Sequence, residues 1–114
     1  MEEIIENKTI NYSDFSKLDI RIGTIIEAEN VQNSSKLIKI IFDFSDFKRQ
    51  VIAGIRPKYS PEDLIGKQIP VIINLEPRKL AGLESQGMIL AIGDTSVDGL
   101  LFPSEIVKAG SKVH

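Results

Sequence analysis

Nine of the fourteen cations in this 114-residue chain fall between residues 31 and 81, a stretch that holds only five of the sixteen acids. The flanks are acidic, at −4 over residues 1–30 and −2 over 82–114, so the net charge of −2 conceals a basic middle of +4. Such a block suits phosphate recognition: Arg presents a rigid fork of donors and a flat stacking plane, and Lys a mobile point charge. Hydrogen-bonding residues accompany the cations: Asn33, Ser34, Ser35 and Lys36 in one polar run, Arg78 and Lys79 after the stiff Pro77, and Ser85-Gln86 shortly beyond. Other chemistry is poorly provided for. There is no Cys, which excludes disulfides, thiolate metal sites and Cys nucleophiles. The one His, His114, supports neither a Ser/His pair nor a histidine metal site. No phosphate-cradling Gly-rich loop is present, and Glu62-Asp63 reads as the acidic first turn of a helix. The expectation is a binding protein without catalytic residues, cofactor or metal.

A basic block on a solvated surface has no meaning until a fold gathers it. Hydrophobic residues at 42% and charged ones at 26% match soluble globular domains, and the length predicts one domain, 1–114. Residues 1–12 form a polar lead-in. Ser13 can cap a helical turn through Leu18, after which Ile20, Ile22, Ile26 and Ala28 share one parity against Arg21, Gly23, Ile25 and Glu27, a long strand whose interior Gly marks a bulge or barrel bend. Residues 30–35 are a loop. Ile38, Ile40, Phe42 and Phe44 then alternate as a second strand, hairpin-linked to a third over Lys48–Ile55. Ser60-Pro61-Glu62-Asp63-Leu64-Ile65-Gly66 carries N-cap, Pro, acid and terminal Gly signals of a short helix. A fourth strand runs from Gln68 to Leu75, with Pro70 predicting an edge or bulge; residues 76–86 read as loop, and Gly87–Ile92 as a fifth strand. Residues 100–114 form an extension able to add edge strands or a dimer face.

Three strands, a helix and two strands is the order of the all-β OB-fold, a partly open five-stranded Greek-key barrel. Its binding face is made by strands two and three with the 1–2 and 4–5 loops. Lys36, Lys39, Arg49, Arg78 and Lys79 all fall in those places, so the basic middle coincides with the expected ligand face and fits a nucleic-acid backbone better than a sugar. Phe47 and Tyr59 are predicted to be the exposed aromatics. That is few for a single-strand binder and points to folded RNA recognised by shape and backbone. Two readings fit Ser85-Gln86-Gly87-Met88: a turn glycine with a core Met, or Ser85 and Gln86 against RNA polar groups with Met88 packing a base.

Phe15-Ser16-Lys17-Leu18-Asp19-Ile20-Arg21-Ile22-Gly23, Lys36-Leu37, Asn74-Leu75-Glu76-Pro77-Arg78-Lys79-Leu80-Ala81-Gly82 and Glu84-Ser85-Gln86-Gly87-Met88 together resemble the tRNA-binding domain family. That family includes the C-terminal domain or beta subunit of methionyl-tRNA synthetase, stand-alone structure-specific tRNA-binding proteins and a secretion-chaperone-like branch. The resemblance spans about Phe15 to Val113. It implies an OB-fold, a homodimer built largely through the terminal segments, and non-catalytic tRNA binding beside a methionyl-tRNA synthetase. It also implies contacts from Lys36, Asn74, Arg78, Lys79, Ser85 and Met88, to which the residue reading adds Gln86. Many relatives have Ser-Gly at Ala53-Gly54 and basic residues at Glu76 and Ala81, substitutions that lower the expected affinity; the alternative is a peptide-binding chaperone of the same fold. The acidic Met1–Glu6 lacks the basic flank and apolar run of a secretory signal, so the expected location is the cytoplasm, with no membrane contact.

Overall fold

The computed structural model describes residues 8–114; Met1–Glu6 of the acidic N-terminus lie outside them. The elements are α1 (Tyr12–Phe15), β1 (Ile20–Asn30), β2 (Leu37–Asp43), β3 (Lys48–Gly54), α2 (Pro61–Leu64), β4 (Gln68–Ile72), β5 (Arg78–Leu80), β6 (Leu83–Ser85), β7 (Met88–Ile89), β8 (Ala91–Gly93), β9 (Val97–Leu100) and β10 (Lys112–Val113). Five antiparallel strands in the order β3-β2-β1-β4-β7 make a nearly closed barrel, the expected OB-like architecture. Hairpins β5–β6 and β8–β9 are appended to it, and β10 pairs with the start of β1. No helix among the described residues is long and apolar enough to cross a membrane.

β2 behaves as its alternation dictates: Ile38, Ile40 and Phe42 are fully buried, and Phe44 follows them into a core closed by Val51, Ile55, Leu64, Ile69 and Val71. β1 departs from simple parity. Its register slips between Ile25 and Glu27, so the extra residue Ile26 turns outward while Ile25 and Ala28, three apart, both face the core. A bulge does this by opposing two residues to one. Gly23 lies upstream of the slip, where a Cβ would stand 2.7 Å from Phe42 Cδ1 and 2.8 Å from Phe44 Cε1. It lets two aromatic rings fill the barrel against bare backbone.

Other expectations are corrected. Asn11, not Ser13, caps α1: its Oδ1 accepts from Asp14 N at 2.9 Å, and Ser13 Oγ donates to the same oxygen. β4 is interior, between β1 and β7. Pro70 is tolerated there because its partner Ile22 gives both backbone groups to Gly110 and Ser111, and because β7 pairs only with Val71 and Ile72. Phe47 stacks on Phe44 at 5.2 Å between centroids, and Tyr59 packs on the core. The exposed aromatics are Tyr12, Phe15 and Phe102. The fifth strand breaks at Leu90 into β7 and β8, and residues 76–86 hold a hairpin. The extension folds back along β1, with Val113 opposite Ile20, and Gln68 exchanges hydrogen bonds with Val107 at 2.6 and 3.0 Å.

Overpacking a filled core costs roughly 1–3 kcal/mol. Gly23→Ala is therefore expected to lower the urea midpoint by a corresponding amount with an unchanged slope; a variant as stable as the parent would show that the two rings can give way.

Candidate nucleic-acid interface

The loop between β1 and β2 is held from within. Ser34 Oγ accepts from Lys36 N at 3.1 Å and Leu37 N at 3.0 Å, and Arg56 Nη1 donates to Ser34 O at 2.7 Å. The Lys36 side chain is left projecting into solvent. Lys39, by contrast, faces Glu29 at 3.7 Å. Arg49 donates to Ile73 O and Gln86 O at 2.9 and 3.2 Å, with its guanidinium 5.0 Å from the centre of the Phe47 ring. Both strand cations of the expected face therefore have partners inside the chain.

The segment between β4 and β7 folds as hairpin β5–β6, turning on Ala81 (φ 52°) and Gly82 (φ 79°). Two consecutive positive φ angles are those of a type I′ hairpin turn. The sequence signal was weak because Ala, unlike Asn or Asp, rarely adopts the first of them. The hairpin presents Arg78 and Lys79 to solvent, and among the described residues no ion pair engages these two or Lys36.

Ser85 and Gln86 turn toward the protein. Ser85 is 3% exposed; its Oγ accepts from Ile52 N at 2.9 Å and donates to Gly87 O at 3.2 Å. Gln86 Oε1 accepts from Gln50 N at 2.9 Å, and Gln86 N donates to Gln50 O at 2.7 Å. β3 is the last strand of the sheet order, and these side chains occupy the places a neighbouring strand would fill. Asn74 is equally committed: its Oδ1 accepts from Asp19 N at 2.8 Å and its Nδ2 donates to Lys17 O at 2.7 Å, tying the end of β4 to the lead-in of β1. Asp19 in turn holds Arg21 by a 2.9 Å hydrogen bond and by its charge, which together raise the guanidinium's pKa.

Met88, immediately beyond, is 53% exposed. It borders a groove of about 450 Å³ floored by Ile52, Ile55 and Ile89 and edged by Leu75, Glu76 and Arg78. A second cleft of about 340 Å³ shares Ile52, Gly54 and Arg78 with it and runs on to Lys36 and the Asp94–Ser96 turn. The structure thus brings Lys36, Arg78 and Met88 around one trough, with Lys79 beside it on β5. Asn74, Ser85 and Gln86 lie in the frame that shapes it. Sequence reasoning reads the stretch from Gly93 to Gly99 as turn-rich but does not place Asp94–Ser96 in the cleft, nor Glu76 in the groove. Ala53 belongs to the core cluster.

Residues 20–112 match the family model described as "Putative tRNA binding domain". The chain is 50% identical over 104 residues to a methionine–tRNA ligase of Methanococcus aeolicus and 51% identical over 104 residues to that of Thermotoga maritima, alignments covering 91% and 86% of this chain. They cover only 15% and 16% of those proteins, so the chain spans less than a fifth of the length of these curated relatives. Among solved structures, a MetRS related protein from Pyrococcus horikoshii superposes with a TM-score of 0.88 at 33% identity, covering 94% of this chain and 99% of that one. Chaperone CsaA from Bacillus anthracis gives 0.86 at 34% identity, covering 93% and 99%.

A buried donor stripped of its acceptor costs about 1–3 kcal/mol. Ser85→Ala is expected to cost that much in urea unfolding and to speed hydrogen exchange at the Ile52 amide, while Ser85→Thr, which keeps a hydroxyl, retains most of the protection. Parent-like exchange at Ile52 in Ser85→Ala would remove the strand-edge role.

Proposed function

The chain belongs to the tRNA-binding domain family, and from that premise we propose that it binds tRNA as a folded shape, without catalysis, as a homodimer acting beside a methionyl-tRNA synthetase in the cytoplasm. The observation that carries this reading is the set of solvent-facing cations around the trough, Lys36 and Arg78 with Lys79 next to them. They differ from Lys39 and Arg49 in having no partner among the described side chains to compete with a phosphate. Phosphate contacts position a protein on RNA and carry the affinity. A methionine–tRNA ligase also performs chemistry, for which the residues here, with no Cys and His114 as the single His, offer no Ser/His or metal-histidine group.

On this reading Lys36, Arg78 and Lys79 touch phosphate and Met88 supplies an apolar contact. Asn74 and Ser85 act by position, their polar atoms being occupied within the chain. Gln86 holds β3 through Oε1 and keeps its amide nitrogen for RNA. A second reading, a peptide-binding chaperone, draws support from the apolar floor of the groove and from the likeness to CsaA. The two differ in salt dependence. Binding of total tRNA at two salt concentrations, against single-stranded and duplex DNA controls, is expected to be selective and to weaken steeply with salt. Arg78→Ala should reduce the slope of log affinity against log salt by about one unit. Salt-tolerant binding of unfolded polypeptide, with no affinity for tRNA at low salt, would establish the chaperone reading instead.

The dimer is proposed to form through the terminal segments, where Leu101, Phe102 and Ile106 stand exposed, Ile106 at 92%. Loss of an apolar anchor at an interface centre commonly costs 2 kcal/mol or more, about thirtyfold in affinity. Sedimentation at micromolar concentration should therefore show a dimer, shifted toward monomer by Ile106→Asp. A parent chain that stays monomeric at that concentration would exclude the proposed assembly.

A further inference from the structure

Building on the tRNA-binding reading, we infer that the 450 Å³ groove is a pocket for one unstacked nucleobase carrying an amino group, and that Glu76 reads that group. The groove has the attributes of a base pocket and not of a phosphate track. Its floor and walls are aliphatic, Ile52, Ile55, Leu75 and Met88, with the flexible Met88 side chain at the rim. Flat heterocycles taken out of a stack are held between side chains of this kind. No aromatic residue lines the groove; the exposed ones among the described residues are Tyr12, Phe15 and Phe102. One base is therefore accommodated, and a run of stacked bases is not.

Glu76 supplies the selectivity. A carboxylate accepts hydrogen bonds and donates none. Lining a trough that also holds Arg78, it repels phosphate locally and rewards a ligand edge that presents N–H groups. The amino groups of cytosine, adenine and guanine do so, whereas uracil offers two carbonyl oxygens and a single ring N–H. The backbone around Glu76 is fixed on one side by Asn74, locked to Lys17 and Asp19, and on the other by Pro77, whose ring sets φ. Arg78 and, at the far end of the adjoining cleft, Lys36 are then left to take the phosphates flanking the base. Divided in this way, an acid in the basic middle of the chain becomes a selectivity device.

The test uses the whole chain and an unmodified tRNA transcript. A diazirine-bearing residue in place of Met88 is expected to crosslink to the base of a single nucleotide. Exchanging that nucleotide for uridine should weaken binding about tenfold. Glu76→Gln, which can both accept and donate, should reduce the penalty to about twofold with its thermal melt unchanged. Tight tRNA binding with crosslinks scattered along the backbone, or with uridine accepted as well as the original base, overturns the pocket and leaves the tRNA reading intact. Absence of tRNA binding at low salt overturns both, and so does protection of position 88 by an unfolded polypeptide but not by tRNA.

Discussion

Two backbone amides on the free side of β3, those of Gln50 and Ile52, set the terms for the rest of the molecule. The sheet ends at β3, and an open edge in a small barrel must be covered, paired or left to water. Here it is met by side chains: Gln86 Oε1 takes the Gln50 amide and Ser85 Oγ the Ile52 amide, while the Gln50 carbonyl receives the Gln86 N–H. Arg49 adds a brace from β3 to the carbonyls of Ile73 and Gln86. Because these bonds originate at the foot of β5–β6, the hairpin, Arg78 and Met88 are fixed relative to β3. The groove between them inherits its shape from that closure.

The same economy governs the charges. Lys39, Arg49 and Arg56 each have an acid or carbonyl partner within the chain, so the basic middle contributes fewer cations to a ligand than its composition suggests. Of the six that remain in residues 31–81, Lys36, Arg78 and Lys79 are the ones on the first loop and on hairpin β5–β6. A net charge of −2 is no obstacle to meeting a polyanion there. At physiological ionic strength the screening length is about 8 Å, and acids farther away than this act weakly on a phosphate in the trough.

Much of the barrel was legible because its rules are local. Alternation in β2, the cap and Pro signals of α2, and the order of strands and helix each follow from short stretches of chain. What escaped depends on contacts across the fold. The outward turn of Ile26 follows from a register slip against β2. The partial burial of Phe47 follows from its stacking on Phe44. The β5–β6 hairpin hides behind Ala81, a residue that gives no warning of a positive φ. Asn74, a ligand contact by resemblance, has both ends of its amide taken by Lys17 and Asp19, more than 50 residues away.

Ser85-Gln86-Gly87-Met88 shows why a motif names a place more readily than a role. A β pattern sends alternate side chains to opposite sides. Ser85 is turned into β3, and at Gly87 an added Cβ would come within 3.0 Å of Ile72 O, so the strand lies close against β4 and Met88 emerges into the groove. Loss of RNA binding on changing Ser85 would arise through the β3 edge and would be accompanied by loss of stability. Loss on changing Met88, whose side chain is half exposed, would not. On the proposed reading, four adjacent letters therefore carry two separable jobs, closing the barrel and meeting the ligand. The burial of each side chain, which the letters alone do not encode, decides which job it does.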